Sequence, residues 1–123
     1  MIVGTGIDIA DNRRIEKIHA RYGERFAAKI LTPAELRSMP ENAVPFLSGR
    51  FAAREACAKA LGTGFAPGVN WLDMEILTDL SGRPVLTLSG AAAAIADRLG
   101  VRRVHLSISH ERNYAVAMVI LEG

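Results

Sequence analysis

The sequence predicts a single α+β domain, residues 1–123, in which an antiparallel sheet is packed with helices on one face. Three observations lead there. A chain of 123 residues builds one core and not two. Its strand-like segments come in sequence-adjacent pairs joined by short turns, which suits hairpins better than parallel crossovers. Half of the residues are hydrophobic and 23% are charged, a globular balance, while aromatics reach only 6% and leave the core to Ala, Ile, Leu and Val.

The elements follow in order. Ile2–Ile9, rich in β-branched residues and glycine, reads as a strand. Asp11 or Asn12 caps a helix running to about Ile30, with Ile15, Ile18, Tyr22 and Phe26 as a buried stripe at three- and four-residue spacing. Thr32-Pro33-Ala34-Glu35 opens a short second helix, which Met39-Pro40 ends. Phe46–Leu61 is an alanine-dense helix stopped by Gly62, and Gly64 and Pro67-Gly68 make a loop. Met74–Thr78 and Pro84–Leu88 flank the turn Asp79-Leu80-Ser81-Gly82. Ser89–Leu99 is a helix ended by Gly100, and Val104–Ser109 and Tyr114–Leu121 are strands around the polar turn His110–Asn113.

Composition excludes several classes. A single cysteine, Cys57, makes no internal disulfide and no Cys-based zinc site; mid-helix among alanines, it reads as a small core residue. The N-terminal decapeptide carries Asp8 and no basic leader, unlike a secretory signal, and apolar runs such as Ala115–Leu121 are too short to span a membrane. The expectation is a cytoplasmic protein with no membrane and no nucleic-acid partner. The formal charge is only +2, yet it is uneven. Residues 12–29 hold Arg13, Arg14, Lys17, Arg21, Arg25 and Lys29 against Glu16 and Glu24, leaving the rest of the chain slightly acidic. On one continuous helix Arg14, Lys17, Arg21 and Arg25 fall within a sector of about 80°. Such a row reads either as a solvated face or as a docking surface for something acidic.

Three further constellations carry chemistry. Asp8 lies near the end of the first strand, with Ile7 and Ile9 pointing to the opposite face; its ordinary reading is an aspartate on the solvated side. In the alanine-rich helix, Phe51, Glu55 and Lys59 form one row at successive i, i+4 steps, and Arg50 and Arg54 are its other charges. The plain reading is a Glu–Lys helix pair; charged groups packed among alanines otherwise call for a metal or phosphate partner. Leu61-Gly62-Thr63-Gly64 either caps that helix or offers backbone N–H groups to a phosphate. Ser107-Ile108-Ser109-His110 closes a strand at a turn, where a histidine is commonly structural.

Together, Gly6-Ile7-Asp8-Ile9, the block from Arg50 to Gly64 and Ser107-Ile108-Ser109-His110 closely resemble, in order and over essentially the whole chain, the holo-[acyl-carrier-protein] synthases, small bacterial 4′-phosphopantetheinyl transferases. The resemblance implies transfer of the 4′-phosphopantetheine group of coenzyme A to a serine of apo acyl carrier protein, with release of adenosine 3′,5′-bisphosphate, in fatty acid biosynthesis. It implies Mg²⁺ held by Asp8 and Glu55, with Lys59 and His110 as further catalytic groups. It assigns Arg50, Phe51, Lys59, Gly62, Thr63, Gly64, Pro84, Ser109 and His110 to coenzyme A; Arg83-Pro84 falls where the family has a turn near the adenine. The helix with Arg13, Arg14, Lys17, Arg21 and Arg25 becomes the docking surface for the acidic carrier. A homotrimer is implied, with sites at protomer interfaces and His110 supplied by the neighbour of the protomer giving Asp8, Glu55 and Lys59. Two positions depart from the pattern. Ala10 stands where larger relatives carry a third acidic ligand, so that a water within reach of Asp11 would replace it. Arg54 stands where Lys is common. The alternative is a non-catalytic module that docks an acidic protein or nucleic acid through the basic helix.

Overall fold

The computed structural model describes residues 1–66 and 68–123; Pro67, read above as part of a loop, lies outside the described residues. The order is β1 (Ile2–Asp11), α1 (Asn12–Tyr22), α2 (Glu24–Ile30), α3 (Pro33–Ser38), α4 (Ala43–Leu61), a 3₁₀ turn (Trp71–Asp73), β2 (Met74–Thr78), β3 (Pro84–Leu88), α5 (Gly90–Leu99), β4 (Arg103–His110) and β5 (Tyr114–Glu122). The strands form two antiparallel sheets, β1-β5-β4 and β2-β3, rather than one. Adjacent strands pair as expected, but β3 and β4, on either side of α5, lie close without joining in one sheet.

The continuous helix expected from residue 12 to 30 is two helices. Gly23 adopts φ +56°, a conformation glycine takes without steric cost, and its N–H closes α1 on the His19 carbonyl while the chain turns into α2. Arg25 therefore sits on α2, and the single basic sector stops at Arg21. Tyr22, expected in the buried stripe, is 48% exposed because the stripe ends at the same break, whereas Ile15 is buried and Ile18 and Phe26 partly so. The second helix keeps its predicted start: Thr32 and Glu35 form a reciprocal capping box.

The body of the domain is α4 laid across β1 and β5. Ala52, Ala56, Cys57 and Ala60 pack on Ala117, Val119 and Leu121; burial pushes the Cys57 thiol up to about 12, in keeping with its core reading. The helix starts at Ala43, before the expected Phe46, with Pro45 tolerated in its first turn. Small residues at the crossing bring the two backbones together. A Cβ on Gly6 would lie 1.8 Å from the Ala56 carbonyl oxygen, and one on Gly4 2.1 Å from that of Ala60. Gly6→Ala is thus expected to lose at least ~1–3 kcal/mol of stability, since the obstacle is main chain that moves only as a unit; a urea denaturation midpoint checks it.

This crossing also settles the faces of β1. Gly4, Gly6, Asp8 and Ala10 alternate toward α4, while Ile7 and Ile9, each 62% exposed, look outward. The aspartate expected on the solvated side is the inward residue, and the isoleucines are the solvated ones. Met118 and Val116, paired with Ile7 and Ile9, continue this apolar outer face. At the far end, α5 begins at Gly90 and Ser89 makes no side-chain cap; the Asp73 carboxylate accepts the Ala92 N–H at 3.3 Å instead.

Candidate active site

The inward turn of β1 puts Asp8 against the flank of α4 that carries Glu55 and Lys59. Lys59 Nζ donates to Asp8 Oδ1 at 3.1 Å and to the Ile7 carbonyl at 2.9 Å. Its partner is therefore a strand carboxylate 51 residues away, not the helical Glu55 of the plain i, i+4 reading. Glu55 is half-buried, and its pKa is raised, first by burial and then by the Asp8 charge, against the opposing pull of Lys59 and Arg14. Two carboxylates and an ammonium meet at one partly enclosed spot. The arrangement holds excess negative charge in reach of a cation, with one fixed positive charge beside it.

Arg50 and His110 lie elsewhere. Nine residues separate Arg50 from Lys59, which at about 100° per residue turns them to opposite flanks of α4. Arg50 is 9% exposed; its guanidinium sits 4.0 Å from the centroid of the Phe46 ring, and Nε is buried with no hydrogen-bond partner among the described residues. Burial lowers its pKa, offset by the Glu35 charge, with Arg54 adding repulsion. His110 ends β4 instead of lying in the turn; a Cβ on Gly49 would come within 3.0 Å of its ring. β4 and β1 are opposite edges of the three-stranded sheet, so one chain keeps His110 apart from Asp8. Ser109 faces the outer side, with Val116 opposite it.

The Gly62–Gly64 loop follows its capping reading. Gly62 takes φ +80°, and the N–H groups of Gly62, Thr63 and Gly64 turn back to the Ala58 and Lys59 carbonyls. These amides are bonded to the helix end, and the Thr63 hydroxyl donates to the Gly64 carbonyl. Pro84 and Arg83 line a groove of about 690 Å³ with Val85, Leu106, Ser107 and Ile108, between the two sheets. Asp11, considered as a partner for a water, is committed: it caps α1 through the Arg13 N–H and pairs with the Arg13 guanidinium at 3.0 Å. Arg13 also reaches the Tyr114 hydroxyl, and Arg14, Lys17 and Arg21 stand exposed along α1.

Arg54 is no surface substitute for lysine. It is fully buried, donating to both Glu35 carboxylate oxygens, to the Trp71 carbonyl at 3.0 Å and to the Met74 carbonyl at 2.7 Å. Glu35 was legible as a capping residue, but nothing in a separation of 19 residues signals its second bond to α4. Sequence reasoning also passed over Phe65 and Trp71, which stack with ring centroids 4.0 Å apart, Trp71 in turn lying 5.3 Å from Phe51. Among the described residues no group of three or more His, Cys, Asp or Glu stands ready for a metal, so a cation here would take two carboxylates from one chain.

Residues 4–119 match the family described as the 4′-phosphopantetheinyl transferase superfamily. The chain is 54% identical over 123 residues, all of both proteins, to the holo-[acyl-carrier-protein] synthase of Solidesulfovibrio magneticus. The crystal structure of the holo-[acyl-carrier-protein] synthase of Neisseria meningitidis superposes with a TM-score of 0.92 at 38% identity, with full coverage of both chains. That of Helicobacter pylori, solved in complex with coenzyme A, gives 0.86 at 32% identity, covering 96% of this chain and 99% of its own.

Proposed function

Because the chain belongs to the 4′-phosphopantetheinyl transferase superfamily, among its holo-[acyl-carrier-protein] synthases, we propose that it moves the 4′-phosphopantetheine group of coenzyme A to a serine of apo acyl carrier protein. The serine oxygen forms a new bond to the phosphorus nearer the pantetheine arm. The bridging pyrophosphate bond breaks, and adenosine 3′,5′-bisphosphate leaves. The observation that carries the reading is the convergence of Asp8, Glu55 and Lys59, brought from a strand and a helix to one partly enclosed point. A non-catalytic docking module has no use for such a cluster.

The donor set suits Mg²⁺, which takes one or two carboxylates and completes its shell with phosphate oxygens and water. Asp8 and Glu55 would hold it; burial first and then the Asp8 charge raise the Glu55 pKa, and a bound cation would relieve the repulsion between the two carboxylates. When bound, Mg²⁺ supplies positive charge to the pyrophosphate. Lys59, already fixed by Asp8 and the Ile7 carbonyl, adds a second positive charge where negative charge develops on the transferred group. Glu55, or a water steered by Asp8, would accept the serine proton.

Coenzyme A would run from this cluster toward Arg50, Phe51, the Gly62–Gly64 loop, Pro84, Ser109 and His110. One chain holds Arg50 and His110 away from Asp8, Glu55 and Lys59, which supports a site built between copies of a homotrimer. The exposed Ile7, Ile9 and Met118 on the outer sheet face offer the apolar surface that such an assembly needs. Mixing the protein with coenzyme A, Mg²⁺ and an apo carrier protein, then weighing the carrier by mass spectrometry, tests the proposal. A gain of one phosphopantetheine is expected; no gain on an authentic carrier would sink it. The assignment to fatty acid biosynthesis in the cytoplasm belongs to the same proposal; among the described residues no helix is long and apolar enough to cross a membrane.

The acidic carrier would dock on α1. Arg14, Lys17 and Arg21 are exposed basic residues of α1, beside the exposed Glu16; Arg13, also exposed, is paired with Asp11, and Arg25 lies on α2 across the Gly23 break. Arg14→Glu or Arg21→Glu is expected to raise KM for the carrier on the order of tenfold, with KM for coenzyme A nearly unchanged. Raising the salt concentration should weaken carrier binding in the parent in the same sense. Equal effects on both substrates would remove α1 as the docking surface.

A further inference from the structure

The helix-end loop Gly62–Gly64 is anchored twice. Along its length, the three amides return to the Ala58 and Lys59 carbonyls. Just past its end, Phe65 stacks on Trp71 with centroids 4.0 Å apart and planes 16° from parallel. Trp71 stacks in turn on Phe51, at 5.3 Å and 25°, and Phe51 begins the α4 row that continues to Glu55 and Lys59. The backbone of Trp71 is itself pinned, because its carbonyl accepts Arg54 Nε at 3.0 Å and Arg54 is locked to Glu35 in the core. A continuous path thus runs from a buried ion pair, through the partly exposed rings of Trp71 and Phe65, to a loop beside the active-site lysine, with Phe51 joining Trp71 to α4.

We infer that Phe65 and Trp71 are positioning residues that clamp the Gly62–Gly64 loop against α4 and so preorganise the coenzyme A side of the site. The inference rests on the proposed function, in which that loop contacts coenzyme A. Its physical content is entropic: a loop held at both ends before the nucleotide arrives loses less freedom on binding than one held only at the helix cap. Neither ring needs to touch the substrate. Trp71 and Phe51 pack against the cluster that holds Ile15, on the buried side of α1, whereas Arg14, Lys17 and Arg21 stand on its exposed side, so the carrier side should feel the loss of the rings less.

The experiment compares the full-length parent with Phe65→Ala, Phe65→Tyr and Trp71→Phe, all in Mg²⁺, by steady-state transfer kinetics and by calorimetric titration with coenzyme A. Phe65→Ala is expected to raise KM and Kd for coenzyme A about three- to tenfold, the range one aromatic pair is worth, with kcat and the carrier KM within about twofold of the parent. Phe65→Tyr and Trp71→Phe keep a stack and should restore coenzyme A affinity to near the parent. Coenzyme A should also shift the emission of Trp71, the single tryptophan, and shift it less in Phe65→Ala. Unchanged coenzyme A affinity in Phe65→Ala, or an equal loss in kcat and carrier KM, would overturn the clamp. A parent that binds no coenzyme A would instead overturn the function on which it rests, and the two outcomes are distinct.

Discussion

Glu55→Gln and Asp8→Ala are each expected to cut phosphopantetheine transfer on the order of a hundred- to a thousandfold, and Glu55→Gln to do so while the protein becomes harder to unfold. The second half is the unusual one. In the folded chain Glu55 is pressed by burial and by Asp8, so its pKa is raised above that of the unfolded carboxylate. A group shifted in that direction contributes stability that is complete below its unfolded pKa and is lost as pH rises through the folded value. The parent therefore carries a cost at neutral pH that glutamine, with nearly the same shape and no charge, does not. The gap in melting temperature between Glu55→Gln and the parent should be widest at neutral pH in a chelator and close toward acid. Added Mg²⁺ should narrow it again by stabilising the parent alone. A variant that loses activity and stability together at neutral pH would mean that Glu55 is a structural group.

The second large effect is expected from Arg54→Ala. It leaves the Glu35 carboxyl buried without its guanidinium partner and removes the donors to the Trp71 and Met74 carbonyls, which together join α3, α4 and the start of β2. Removing one partner of a buried pair costs about 3–5 kcal/mol, a large share of the stability of a domain this size. Chemical denaturation should show a folded population that is small or absent at 37 °C. The double variant Glu35→Leu/Arg54→Met should recover much of the loss, because the main penalty is the unpaired charge and not the missing attraction. If the double variant is as unstable as Arg54→Ala, the carbonyl bonds made by Arg54 are the larger contribution.

The two predictions mark different depths of legibility. Asp8, Glu55 and Lys59 were readable as candidates, since a helical row at i, i+4 spacing and a strand-end aspartate are both local patterns. The partner of Lys59 was not readable. Helical spacing offers Glu55, whereas the bond goes to Asp8 because glycines at 4 and 6 let β1 lie directly on α4. The break at Gly23 and the exposure of Tyr22 escaped a periodicity reading because one glycine in an otherwise helical pattern does not say whether the chain continues. The Gly62–Gly64 loop offered two local readings of equal standing, and the hydrogen bonds of its amides to α4 favour the cap.

By itself the sequence determined the class of fold, the order and near-exact ends of β2, β3, α3 and α5, the uneven charge on the first helix, and the motifs that identify the family. Local rules suffice for these: caps, turn residues and periodicity act over a few positions. The tertiary structure alone decided which face of β1 is inside, that the strands divide into two sheets, that Arg54 joins Glu35 in the core, and that Arg50 and His110 stand apart from the carboxylates. Those outcomes depend on contacts between segments many residues apart, where close approach of backbone at two glycines and the need to pair a buried charge outweigh local preference.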